Sequence, residues 1–275
     1  MAPEPISIPA GGTLLSGELS GEGVPVALLH GLTATRRYVV MGSQSLQRSG
    51  HRVLAYDARG HGESEPAADG DYGYARLAAD LGAALDAAGF ERAVLAGASM
   101  GAHTAVRYAL EEPDRVAGLA LITPGFDPAE ARTPAELARW DALARGLRTG
   151  GVEGFVAAYD LDGVAPGTRG TVETVLRQRL GAHRHLEAVA DALEAVPRSA
   201  PFEEPAELSA LRAPTLVVGS RDEPDPGHPL AVAERWAGWI PGARLVVEEE
   251  GRSPLAWQGG QLSKLIAATA ADVRM

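Results

Sequence analysis

The feature that most constrains this chain is the stretch 94–102, where an apolar run passes directly into a helical pattern. The pentapeptide Gly-Ala-Ser-Met-Gly at 97–101 stands at the junction and has the form G-x-S-x-G. In this context it predicts a nucleophile elbow, a strained strand-to-helix turn that exposes the hydroxyl of Ser99. Gly97 and Gly101 fit such a turn because a Cβ at either position would collide with the neighbouring strand and helix. The alternative is an ordinary turn in which Ser99 only caps the helix.

The composition narrows the classes of protein to consider. The chain has 275 residues and a formal net charge of −11, which argues against nucleic acid or an anionic membrane as the main partner. It has no cysteine, so disulfides, thiolate metal sites and a cysteine nucleophile are excluded. No apolar run approaches the roughly 18 residues of a membrane span, and the first residues show no secretory signal. We therefore expect a cytoplasmic protein that acts on a small molecule.

Short apolar runs alternate with amphipathic helical patterns along the first half of the chain. The runs predict strands at 26–29, 52–56, 94–98 and 116–122, and the helical patterns predict helices at 35–48, 74–88 and 100–110. This alternation predicts a mostly parallel sheet that is covered by helices on both faces. Ligands of such sheets bind at the carboxyl ends of the strands, where Ser99 lies.

The pattern changes between about residue 127 and residue 212, where the strand signals stop. Four helices are predicted there, at 134–148, 152–160, 168–180 and 185–196. The sheet pattern then resumes with strands at 214–218 and 244–247 and helices at 229–239 and 255–273. We therefore expect a core formed by residues 1–126 and 213–275, with a helical insertion, residues 127–212, between two strands of the sheet.

Four motifs that follow one another along the chain together resemble the α/β-hydrolase superfamily. They are His30-Gly31 after a buried strand, the segment 57–64 with the form D-x-R-G-x-G-x-S, the elbow at 97–101, and the strand and loop at 214–222. The four in this order are far more specific than any one of them. The resemblance covers essentially the whole chain and implies an α/β-hydrolase fold, with the insertion at 127–212 as a helical cap.

The resemblance also implies roles for individual residues. Ser99 matches the nucleophile, and the backbone N–H groups of Leu32 and Met100 match the donors of the oxyanion hole. A serine hydroxyl is a weak nucleophile near neutral pH, so it needs both a base and such an oxyanion site. Asp222 occupies the position of the catalytic acid, with Asp127 as an alternative acid. Otherwise Asp222 is a loop carboxylate that caps the next helix.

The chain departs from the family at the histidine that follows the last strand. The family has a stretch of the form G-H-x-P there, whereas this chain has Arg252 at the histidine's position. Arginine cannot act as a base near pH 7, because its guanidinium stays protonated there. Loss of the histidine of a triad typically lowers kcat about a millionfold. Three interpretations of Arg252 stay open: it pairs with Asp222, it binds a carboxylate or phosphate of the substrate, or it is solvated on a displaced loop.

His228 is the best substitute for the missing base among the seven histidines. It lies in the loop after the acid's strand, at the active-site end of the sheet, although a helix-start residue beside Pro229 is the alternative. His103 is four residues beyond Ser99 on the same helix face, and we expect it to be buried and hydrogen-bonded. His183 lies in the cap, and nothing in the sequence supports a role for it at Ser99.

Three hypotheses for the function follow. The first is a serine-dependent hydrolase of a small carbonyl ester, lactone or thioester with an atypical triad. The second is a non-hydrolytic cyclase, lyase or isomerase that uses the oxyanion hole and holds its substrate with Arg252. The third is a catalytically inactive binding protein, against which a retained strained elbow argues. We expect no cofactor and no metal, because no G-x-G-x-x-G follows a strand and no His/carboxylate pair has ligand spacing.

Overall fold

An eight-stranded sheet forms the centre of the computed structural model, which describes residues 3–162, 164, 166–221, 225, 227–250 and 257–271. The strands are β1 (Glu4–Ala10), β2 (Thr13–Ser20), β3 (Val24–Leu29), β4 (His51–Tyr56), β5 (Ala93–Ala98), β6 (Val116–Ile122), β7 (Thr215–Gly219) and β8 (Arg244–Val247). Their order across the sheet is β1-β2-β4-β3-β5-β6-β7-β8. The pairs β1–β2 and β2–β4 are antiparallel and the other five pairs are parallel, so the predicted mostly parallel sheet is confirmed.

Helices cover both faces of this sheet. They are α1 (Ser45–Arg48), α2 (Tyr74–Ala88), α3 (Met100–Glu111), α4 (Pro134–Ala158), α5 (Arg169–Leu180), α6 (Leu186–Ala195), α7 (Leu230–Trp239) and α8 (Gly259–Ala271). One face packs against α2, α3 and α7, with Trp236 of α7 fully buried, and the other face packs against α8. Every residue of β6 is buried, as expected for a strand that lies between two helical layers.

The helices α4, α5 and α6 stand between β6 and β7 in the chain and share an apolar cluster of their own. Leu32, from the loop after β3, packs against this cluster. These three helices form the helical cap that the sequence predicts between two strands of the sheet. The boundaries proposed for core and cap, 1–126, 127–212 and 213–275, stay predictions.

The prediction for residues 35–48 needs correction. The single helix predicted over 35–48 is wrong: the structure has a 3₁₀ turn at Arg36–Tyr38 and the one-turn helix α1. Met41 and Gly42 between them have φ values of +49° and +72°, which a right-handed helix does not allow. The helices predicted at 134–148 and 152–160 are the two arms of α4, separated at Gly151, where φ is +59° and ψ is −145°.

The loop after β4 is fixed by a buried ion pair. Arg59 is fully buried, and its Nε and Nη2 donate hydrogen bonds to the Asp80 carboxylate of α2 at 2.7 and 2.6 Å. Burial raises the pKa of Asp80, while the bond from Arg59 opposes that rise. The pair anchors the segment 57–64 beside the carboxyl end of the sheet, next to the turn that follows β3.

Candidate active site

Ser99 stands at a strained turn between β5 and α3. Its φ is +50° and its ψ is −115°, and its N–H donates a hydrogen bond to the Ile122 carbonyl at 2.9 Å. A Cβ on Gly97 would overlap the backbone of Gly101, and a Cβ on Gly101 would overlap the carbonyl of Leu29. The two glycines of the motif are therefore required by close backbone approach, as the sequence predicts for an elbow.

The structure brings His228 to the hydroxyl of Ser99. Its Nε2 lies 2.9 Å from Ser99 Oγ, a hydrogen-bond distance. His228 comes from the loop between β7 and α7, at the carboxyl end of the sheet. Gly125 lies against its ring, and a Cβ there would stand 3.2 Å from His228 Cδ2. A larger residue at position 125 would therefore crowd the imidazole.

The carboxylate of Asp225 binds the other nitrogen of the same imidazole. The Nδ1 atom of His228 lies 2.9 Å from Asp225 Oδ1 and 3.1 Å from Oδ2. A carboxylate only accepts hydrogen bonds, so Nδ1 carries the proton and Nε2 presents its lone pair to Ser99. Asp225 and His228 are three residues apart, and their side chains are 26% and 29% exposed. The sequence analysis did not single out Asp225, although an acid three residues before the candidate base is a local signal for this pair.

The structure describes one of the other candidate acids, Asp127. Asp222 and Arg252 lie outside the described residues. Asp127 is buried, and its carboxylate binds Arg235 Nε at 2.6 Å and accepts from the Ala129 N–H at 2.8 Å. The structure therefore places Asp127 in a bond network of its own rather than at the His228 imidazole.

The loop after β3 lies beside the elbow. A Cβ on Gly31 would be 3.5 Å from Ser99 Cβ and 3.4 Å from the Ala98 carbonyl oxygen, so this loop and the turn are in close contact. Met100 begins α3 directly after Ser99. Among the described residues, the N–H groups of Leu32 and Met100 have no hydrogen-bond acceptor. An N–H group without an acceptor can donate to a ligand, and the dipole of α3 favours negative charge near Met100.

His103 supports this arrangement from below. It is buried, its Nε2 accepts a hydrogen bond from the Gly125 N–H at 3.0 Å, and its Nδ1 lies 2.8 Å from the Tyr74 hydroxyl. Burial lowers the pKa of His103 to about 3, and the neighbouring His228 acts in the same direction. The neutral ring thus fixes Gly125 under His228, and the predicted buried, hydrogen-bonded role of His103 is confirmed.

No group of three or more His, Asp or Glu side chains in the described part of the chain is arranged to hold a metal ion. No helix in the same ranges is long and apolar enough to cross a membrane.

The chain matches a family model and named proteins of known families. The model of the α/β hydrolase fold matches residues 24–166, which is more than half of the chain. The chain belongs to the α/β-hydrolase fold family. A Variovorax paradoxus protein that carries the name carbamate hydrolase RutD is 31% identical over 208 residues, covering 74% of this chain and 75% of that protein.

Further relatives agree with this assignment. A Pseudomonas putida protein named 2-hydroxy-6-oxononadienedioate/2-hydroxy-6-oxononatrienedioate hydrolase 2 is 30% identical over 236 residues, covering 82% of this chain and 80% of its own length. The solved structure of a thermophilic esterase from Thermogutta terrifontis superposes with a TM-score of 0.75 at 28% identity, covering 99% of this chain and 97% of the esterase. The relatives are hydrolases, which supports a hydrolase here.

Proposed function

We propose that this protein is a serine-dependent hydrolase of a small carbonyl ester, lactone or thioester. The observation that carries the proposal is the continuous hydrogen-bonded series from Ser99 Oγ through the His228 imidazole to the Asp225 carboxylate, with distances of 2.9 Å at both links. Nucleophile, base and orienting acid stand in the relation that nucleophilic acyl transfer needs.

Each group has one task in the proposed reaction. Ser99 Oγ attacks the acyl carbon while His228 Nε2 accepts its proton, and the Asp225 carboxylate stabilises the imidazolium that forms. The N–H groups of Leu32 and Met100 bind the carbonyl oxygen as it becomes negative. Collapse of the intermediate expels the alcohol or thiol, which takes the proton back from His228. Water then repeats the same steps on the acyl-enzyme and releases the acid.

The proposed triad is atypical in its origin along the chain. Its base and its acid both come from the loop between β7 and α7, three residues apart, whereas the family's histidine position after the last strand holds Arg252. Arg252 is then free for another task, and we propose that it binds an anionic group of the substrate. An arginine fork suits a carboxylate or a phosphate.

The test is turnover of an acyl panel by the wild type and three variants. The panel contains p-nitrophenyl esters, a lactone, a thioester, a carbamate and a vinylogous keto-dioate, the last two being the substrate classes of the relatives. We expect Ser99→Ala and His228→Gln to lower kcat by about 10⁴- to 10⁶-fold. Arg252→Ala should raise KM for anionic substrates while kcat for neutral esters persists. Partial activity of Ser99→Ala, together with lost binding in Arg252→Ala, would instead support a cyclase, lyase or isomerase.

A further inference from the structure

The turn that carries the Leu32 N–H is strained. Residues 31–34 form a β-turn in which the Ala34 N–H donates to the Gly31 carbonyl at 3.0 Å. Thr33, the third residue of this turn, has a φ of +66°. Turns with a positive φ at this position favour glycine or asparagine, and a β-branched residue there is an outlier. Strain of this kind reduces the population of the turn about five- to 150-fold unless other contacts hold it.

Two side chains of the cap supply such contacts. Arg179, in the last turn of α5, donates through Nη2 to the Leu32 carbonyl and to Thr33 Oγ1, both at 3.0 Å. His183, just after α5, lies with Nε2 3.0 Å from the Thr33 carbonyl oxygen, and its Nδ1 accepts from the Gly62 N–H at 2.8 Å. The carbonyls of both central residues of the turn are therefore bound by the cap.

The surroundings of Arg179 set it apart from its neighbour on α5. Within the described ranges no carboxylate lies at ion-pair distance from it, its buried Nε has no hydrogen-bond acceptor, and burial lowers the pKa of its guanidinium. Arg177, two residues earlier, is 41% exposed and pairs with Glu153 and Glu173. Asp225 favours the charged form of Arg179, but only from beyond ion-pair distance, and the hydrogen bonds that Arg179 makes within the described ranges go to the turn.

We propose that Arg179 and His183 are positioning residues through which the cap holds the turn 31–34 in its strained form, with the Leu32 N–H directed to the oxyanion. The inference rests on the proposed function, since it assigns the Leu32 N–H to the oxyanion hole. Loss of these bonds lets Thr33 relax to a negative φ, which rotates the peptide between Leu32 and Thr33. The neighbouring Leu32 N–H then loses its fixed direction. The loss therefore acts on the transition state more than on the bound substrate.

The first test compares Arg179→Met with the matched control Arg177→Met on a neutral p-nitrophenyl ester. We expect Arg179→Met to lower kcat about 10- to 100-fold with KM within about threefold, and Arg177→Met to stay within twofold of wild type in both. A trifluoromethyl ketone adds to Ser99 as a tetrahedral oxyanion, so its inhibition constant should weaken in parallel with kcat/KM. Arg179→Lys, which keeps the charge and one donor, should lie between wild type and Arg179→Met.

The second test relieves the strain without the cap. Thr33→Gly adopts a φ of +66° at no steric cost, so adding it to Arg179→Met should recover at least threefold in kcat. His183→Phe keeps an aromatic ring but removes both hydrogen bonds, and it should lower kcat about threefold or more with KM nearly unchanged. Circular dichroism of every variant checks the fold, and Arg179→Lys serves if Arg179→Met does not fold.

Two results would overturn the inference. One is a wild-type kcat and ketone affinity in Arg179→Met. The other is a raised KM in Arg179→Met with an unchanged kcat and no rescue by Thr33→Gly, which would make Arg179 a substrate ligand. Ser99→Ala separates this failure from a failure of the proposed function: if it retains turnover, the hydrolase mechanism itself is wrong, whereas an inactive Ser99→Ala with an unaffected Arg179→Met refutes only the role of the cap.

Discussion

Asp225→Asn is the change that most sharply separates the proposed triad from the one that sequence position suggests. Asparagine keeps the size of the side chain but removes the negative charge next to His228 Nδ1. Its amide also offers an N–H group, which favours the imidazole tautomer with the proton on Nε2. That tautomer cannot accept the proton of Ser99.

The structure gives the expected magnitude. The two side chains are about one quarter exposed, so an effective dielectric constant of about 40 is a reasonable middle value between a protein site and water. With the 2.9 Å separation of Nδ1 and Oδ1, the charge then stabilises the imidazolium by about 3 kcal/mol, or about 100-fold in rate. A wrong tautomer adds to this loss, to a limit of about 10⁴-fold.

The assay is steady-state hydrolysis of a neutral p-nitrophenyl ester by Asp225→Asn and by the paired variant Asp222→Asn. We expect kcat to fall about 10²- to 10⁴-fold in the first variant and by less than about threefold in the second. KM should change little in either, because neither carboxylate is proposed to touch the substrate. A large loss in Asp222→Asn with near-normal turnover of Asp225→Asn would refute the assignment of the acid.

Three further predictions concern stability. Gly101→Ala should lower the free energy of unfolding by about 1–3 kcal/mol and abolish turnover, because its Cβ would overlap the Leu29 carbonyl. The control Gly170→Ala on α5 has open space around it and should be neutral or stabilising in the same urea titration. Asp80→Asn leaves the buried Arg59 with only the more distant carboxylate of Asp69, at 3.5 Å, and should cost about 3–5 kcal/mol in denaturant titrations. A loss below about 1 kcal/mol would contradict this prediction. Burial lowers the pKa of His103 from 6.5 to about 3 and that of His183 from 6.5 to about 4. Below pH 6.5 the unfolded chain therefore binds more protons than the folded chain, and the free energy of unfolding decreases as the pH is lowered. At pH 5 each should account for about 2 kcal/mol of lost stability, and a flat stability profile from pH 7 to pH 5 would show that these rings are not buried neutral.

The sequence predicts the sheet well because the signals for its strands are local. A strand buried on both faces needs a continuous apolar run, and the runs at β5 and β6 are visible without any knowledge of the fold. The helix predicted over 35–48 fails for a tertiary reason. Gly259 of α8 packs so closely on the Val40 carbonyl that a Cβ would overlap it, and the chain turns there with positive φ at Met41 and Gly42.

The residues of the site also differ in how far the sequence predicts them. Ser99 is visible because its motif is contiguous, and His228 stands out by its position in the loop after β7. The choice of acid is different, because carboxylates at 222, 223 and 225 lie in one loop and the motif favours the first of them. Only the folded loop shows that the Asp225 carboxylate meets His228. Arg179 is equally hidden, since nothing in the sequence of α5 separates it from the exposed Arg177.

The most direct test of the central claim, that His228 activates Ser99, is the rate of covalent labelling by a fluorophosphonate, followed by intact mass. We predict one adduct on the wild type, none on Ser99→Ala, and labelling of His228→Gln at least about 10³-fold slower, with all three proteins folded by circular dichroism. Labelling of His228→Gln at the wild-type rate would show that another group activates the serine, and a wild type that takes no adduct would show that Ser99 is not activated.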